Sequence, residues 1–128
     1  MHIGINNYGL LENEEFKQVN DSHNEAREYY QFFKHDLKYH NVSTITDAEN
    51  IYTVKLRDKI VEKLDKIYLN KNENKENPFK VNVISFSGHG ITFDGDAIGV
   101  IHQYDEDNHK YAPRFINFSG YARKFASN

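Results

Sequence analysis

No cysteine occurs among the 128 residues. That absence excludes a disulfide framework and a thiolate metal site, and it leaves no thiol nucleophile within these residues. A long apolar run is missing as well. Nothing approaches the roughly 20 consecutive apolar residues that span a bilayer, and Met1 leads directly into a strand pattern where a signal peptide would carry its apolar segment. A soluble intracellular protein, cytoplasmic and without a membrane partner, is the expectation. Positive charge is not in excess either: 16 Lys and Arg against 19 Asp and Glu give a formal net charge of −3. Without a basic cluster there is no electrostatic footprint for nucleic acid.

What is present suits one domain with a modest core. Hydrophobic residues make up 38% of the chain and aromatics 14%, so a mean hydropathy of −0.80 still leaves enough core formers to fold. The most informative stretch is Val81 to Gly90. Val81, Val83, Ile84 and Phe86 place apolar side chains on both pleat faces, which predicts a central strand covered on both sides. It ends abruptly in Ser87-Gly88-His89-Gly90, where two glycines allow tight turning and close approach of a ligand to the backbone. Ligands of open α/β sheets bind beyond the carboxyl ends of strands. The residues leave two readings of His89: a general base, or a turn histidine satisfied by a nearby carbonyl.

Elsewhere the pattern alternates strand and helix. Ile3 and Ile5 predict a first strand closed by Gly4, Asn6 and Asn7. Ala26, Tyr30, Phe33 and Leu37 predict one buried face of a helix from Ser22 to about Tyr39, with Asp21 or Ser22 at its start and Ser22-His23-Asn24-Glu25 fitting a capping box. A strand at Val42 to Ile45 and a turn at Thr46 to Asn50 follow. A second helix from about Tyr52 to Leu69 has Val54, Ile60, Val61, Leu64 and Ile67 or Tyr68 as its stripe, and Asn70 to Pro78 reads as a charged loop. Beyond Gly90, Asp94-Gly95 predicts a type I′ hairpin between Ile91–Phe93 and Asp96–Ile101. Pro113 to Phe118 reads as extended, with Ser119 capping a last helix. Tyr104 to His109 carries oxygen ligands but lacks the spacing and glycine of a calcium loop. His89, His102 and His109, at spacings of 13 and 7, match no zinc pattern.

Phe86-Ser87-Gly88-His89-Gly90 after an apolar strand resembles the histidine segment of the caspase and metacaspase family of cysteine peptidases. Gly4-Ile5-Asn6-Asn7-Tyr8 resembles the first strand of metacaspases, and Val19-Asn20-Asp21 follows at about the family's spacing. The resemblance implies an α/β, three-layer caspase-like fold: a central, mostly parallel sheet with helices on both faces. It implies that His89 activates a cysteine thiol, that the Gly90 backbone N–H helps hold the oxyanion, and that Asp21 and Ser87 line an acidic pocket for an Arg or Lys at P1 of a polypeptide substrate. No cofactor is expected from the residues themselves; by the same resemblance calcium is the one to consider, through acidic residues after the histidine.

In the resembling family the cysteine lies about 50 residues after the histidine, on the next strand. That position is beyond Asn128, so residues 1–128 read as a single partial domain, incomplete at its C-terminal side and inactive alone. Its histidine strand is then expected to be an open edge prone to self-association. The alternative is a non-catalytic caspase-fold module that regulates or scaffolds a partner; a more distant one is an unrelated α/β domain binding an anion at the Ser-Gly-His-Gly turn.

Overall fold

The structure is a computed structural model that describes residues 1–48, 55–73 and 81–126. Strands β1 (His2–Gly4), β2 (Thr44–Thr46) and β3 (Ser85–Ser87) form a three-stranded parallel sheet in the order β2-β1-β3. Helices α1 (Ser22–Gln31) and α2 (Leu56–Glu73) lie between them in the chain. A second, antiparallel sheet joins β4 (Gly90–Phe93), β5 (Asp96–Asp105) and β6 (Lys110–Asn117), and α3 (Phe118–Ala126) closes the described chain. The expected alternation and the α/β class are thus present, with the hairpin extended into a sheet of its own.

Strand β1 shows how one short sequence is covered twice. Alternate side chains leave a strand on opposite faces, so His2 and Gly4 face one way and Ile3 the other. His2 stacks on Tyr29 and lies against Phe33, both after the start of α1. Gly4 lets α1 come close: a Cβ there would sit 2.2 Å from the Ser22 carbonyl oxygen. Ile3 and Ile5 enter the main core with Tyr8, Leu56, Ile60 and Leu64 of α2, Val100 and Ile101 of β5, and Ile116 of β6. Burying each such aliphatic side chain contributes about 1.5–3 kcal/mol.

Expectations for all three helices shift. The helix predicted to about Tyr39 is α-helical only to Gln31 and continues as a π-helical turn at Phe32–Asp36. A wider turn breaks the four-residue phase, and Leu37, expected on the buried face, is 47% exposed. Helix α2 keeps its stripe at Ile60 and Leu64 and runs on through Glu73, where a loop was expected; Tyr52 and Val54 lie outside the described residues, as does most of the predicted loop. In the last helix the cap is Asn117, whose Oδ1 accepts the Gly120 N–H at 2.8 Å, while Ser119 Oγ accepts the Ala97 N–H instead. The hairpin turn is as predicted, with positive φ at Asp94 and Gly95.

The strand expected at Val81 to Phe86 changes most. It pairs only at Ser85–Ser87, and Val81 is 65% exposed. Val83 O, Ser85 N and Ser87 O all bond to the β1 segment. By alternation, the backbone groups of Asn82, Ile84 and Phe86 point the other way. Those same three residues, with Ile98, Phe118 and Phe125, line an apolar cavity of about 820 Å³. β3 is therefore an edge of its sheet among the described residues.

Candidate functional site

The carboxyl ends of the three parallel strands meet in one region: Asn6 and Asn7 after β1, Asp47 after β2, and Gly88 to Gly90 after β3. His89 leaves the sheet here, half-buried. Its Nε2 lies 2.6 Å from the Lys17 carbonyl oxygen. A carbonyl only accepts, so Nε2 carries a proton, and in the neutral form of the ring Nδ1 is the nitrogen without one. The Tyr8 ring meets the imidazole edge-on at 4.4 Å between centroids, and Phe16 lies at 5.8 Å. A base held by a third group is the arrangement that nucleophile activation requires. The Lys17 carbonyl satisfies Nε2, as the reading of a turn histidine expects, and leaves Nδ1 as the other ring nitrogen.

Gly90 opens β4. It is paired with Gly99, and the adjacent pair, His89 with Val100, is joined by Val100 N–H to His89 O at 2.9 Å. Bonded and non-bonded pairs alternate in an antiparallel ladder. The Gly90 N–H therefore points away from β5, on the edge of β4 that has no strand neighbour among the described residues.

Ser87 Oγ lies 2.5 Å from Glu25 Oε2 and 3.0 Å from Ser22 Oγ. The carboxylate must accept, so Ser87 donates to Glu25. Asp21 is exposed at the N-cap of α1 and makes no side-chain cap bond. The predicted capping box does not form: Asn6 Oδ1 accepts the His23 N–H at 3.2 Å from outside the helix, which leaves Glu25 free to reach Ser87. Asp21 and Glu25 are one turn apart on the same helix face, so the sequence did hold a signal for the second carboxylate.

Sequence reasoning missed Asp47 altogether. It is 2% exposed and accepts the Asn6 N–H at 3.0 Å, the Asn7 N–H at 2.8 Å, His102 Nε2 at 2.7 Å, and His23 Nε2. Burial pushes its pKa up, but the bonds from His102, His23, Asn6 and Asn7 outweigh burial and hold the carboxyl well below the usual range. Of the three histidines weighed for zinc, His102 is thus bonded to Asp47 and His89 to the Lys17 carbonyl. In the acidic turn after β5, Asp105 accepts the Asp107 and Asn108 N–H groups and Asn108 Nδ2. Its oxygens serve the turn, and among the described residues no group of three or more His, Cys, Asp or Glu is placed to hold a metal ion. Among the described residues no helix is long and apolar enough to cross a membrane.

A parallel β-α-β-α-β sheet that carries a glycine-flanked, carbonyl-anchored histidine beyond its last strand defines an α/β domain. A family model for the caspase domain of peptidase C14 matches residues 1–121, and the chain belongs to that family. No curated protein and no solved structure matches it.

Proposed function

We propose that residues 1–128 are the histidine-bearing part of a metacaspase-like cysteine endopeptidase domain that cleaves polypeptides after Arg or Lys. The observation that carries this reading is the His89 ring, anchored through Nε2 with Nδ1 left basic, next to the outward N–H of Gly90. In the reaction a thiol supplied from outside these residues gives its proton to Nδ1 as its sulfur attacks the scissile carbonyl. The oxyanion is held by the Gly90 N–H, and the departing amine takes the proton back from Nδ1 as the C–N bond breaks. Asp21 and Glu25, with the Ser87 hydroxyl, supply the negative face for a cationic P1 side chain, which a carboxylate pairs by charge-assisted hydrogen bonds.

The test joins the chain to a cysteine-bearing caspase-domain segment and compares peptides with Arg, Lys or Asp at P1. Arg and Lys should be cleaved, and His89→Ala should lower kcat/KM by about 10³-fold or more. Preference for Asp would remove the acidic-pocket assignment, and turnover that survives His89→Ala would remove the catalytic one. Residues 1–128 alone should show no turnover.

One observation favours the second reading, a non-catalytic module that binds a partner or its own copy: the open β3 edge lies beside an apolar cavity, a surface suited to receive an added strand. Failure of the joined protein to cleave any of the three peptides, with its fold intact, would favour that module.

A further inference from the structure

The pairing of β4 with β5 continues one residue beyond Gly90, and there it is interrupted. His89 faces Val100, and a bonded antiparallel pair normally exchanges two N–H···O bonds. One is direct, from Val100 N–H to His89 O. The other passes through a side chain. Tyr8 Oη accepts the His89 N–H at 2.9 Å and donates to the Val100 carbonyl at 2.6 Å. Tyr8 belongs to neither strand: it lies in the 3-10 turn Tyr8–Leu11 after β1, fully buried. The parallel sheet thus inserts a hydroxyl into the antiparallel one. Gly88 is shaped by the same group, since a Cβ there would lie 2.3 Å from Tyr8 Oη.

We propose that Tyr8 is a positioning residue whose hydroxyl acts as a spacer in the β4–β5 ladder, holding His89 away from β5 so that its ring reaches the Lys17 carbonyl. The proposal rests on the reading of His89 as the base, but its consequence is a ring geometry that exists without turnover. Remove the hydroxyl, and the His89 N–H and Val100 carbonyl either close directly on each other or stay buried and unpaired. A buried donor and acceptor left unpaired lose their hydration without replacement, so closure is favoured. Closure draws the His89 backbone toward β5 and takes Nε2 from its acceptor.

The experiment is NMR of the chain with labelled histidine. In the wild type, the His89 Nε2–H proton should be a discrete resonance, slowed in exchange by the Lys17 carbonyl. Tyr8→Phe keeps the ring and the edge-on contact, and should abolish that resonance while the ring signals of exposed His40 and His109 stay unchanged. Gly88→Ala displaces the same hydroxyl from the opposite side and should have the same effect, which decides the matter if Tyr8→Phe does not fold. A folded variant of either kind that retains the wild-type Nε2–H resonance, with only its Tm lowered, would reduce Tyr8 to packing and overturn the proposal. Absence of the resonance from the wild type would overturn it too. A joined protein that cleaves nothing would strike the peptidase reading and leave this result standing.

Discussion

His2 shows what a single side chain at the start of the sheet does to stability. It is 1% exposed, stacked on Tyr29, with Nδ1 2.6 Å from Ser85 Oγ. Burial, with the nearby N-terminal charge, lowers its pKa to about 4. The unfolded chain, with an ordinary histidine near 6.5, binds the extra proton first, so this contribution is complete above about pH 6.5 and is lost as pH falls toward 4. Denaturant unfolding at pH 7, 6, 5 and 4 should therefore give a falling stability, and His2→Phe should flatten the slope in that window. An unchanged slope would assign the effect to other groups. Nothing in the sequence singled out His2, because its environment comes from Tyr29, Phe33 and Ser85, which only the fold brings together. His89 was legible because its strand, its glycines and its turn are all local. Ser87 was half legible: its place was evident, its Glu25 partner was not.

At the scale of elements, what was legible followed from periodicity. Ile3 and Ile5, the Ile60–Leu64 stripe and the Asp94-Gly95 turn each express a short repeat or a dihedral requirement carried in consecutive residues. The failures share one cause, competition from tertiary context: the π turn that rotates Leu37 outward, the cap that falls to Asn117, and the strand that shortens to Ser85–Ser87, one of whose sides has no strand partner among the described residues. That last point has a measurable outcome. Natural sheets blunt an edge with charge or proline, and Ile84 and Phe86 offer neither. The chain should self-associate at micromolar concentration in sedimentation experiments, and Ile84→Lys should shift it toward monomer. A wild-type monomer with strongly protected amides at Ile84 and Phe86 would mean that the edge is covered.

At the scale of the whole molecule, two sheets share one core, and the caspase-domain match over residues 1–121 spans both. Recognition from sequence worked because the motif residues fall at strand ends, where the fold permits little substitution in backbone shape. Asp47 is the opposite case: no motif surrounds it, yet it joins the ends of β1, the first turn of α1 and the middle of β5. Its partners lie 41, 24 and 55 residues away. Such contacts can form only after the intervening loops have closed. Asp47 should therefore act late on the folding pathway, as a latch on the finished structure. Asp47→Asn, which reverses one donor–acceptor pairing and removes the charge, should cost about 3 kcal/mol. Nearly all of it should appear in the unfolding rate, faster by on the order of 100-fold, with the folding rate changed by less than about threefold. Stopped-flow kinetics on both limbs would separate the two. A slowed folding limb would place the Asp47 cluster in the nucleus, whereas the expected result makes it a determinant of how long the folded molecule lasts.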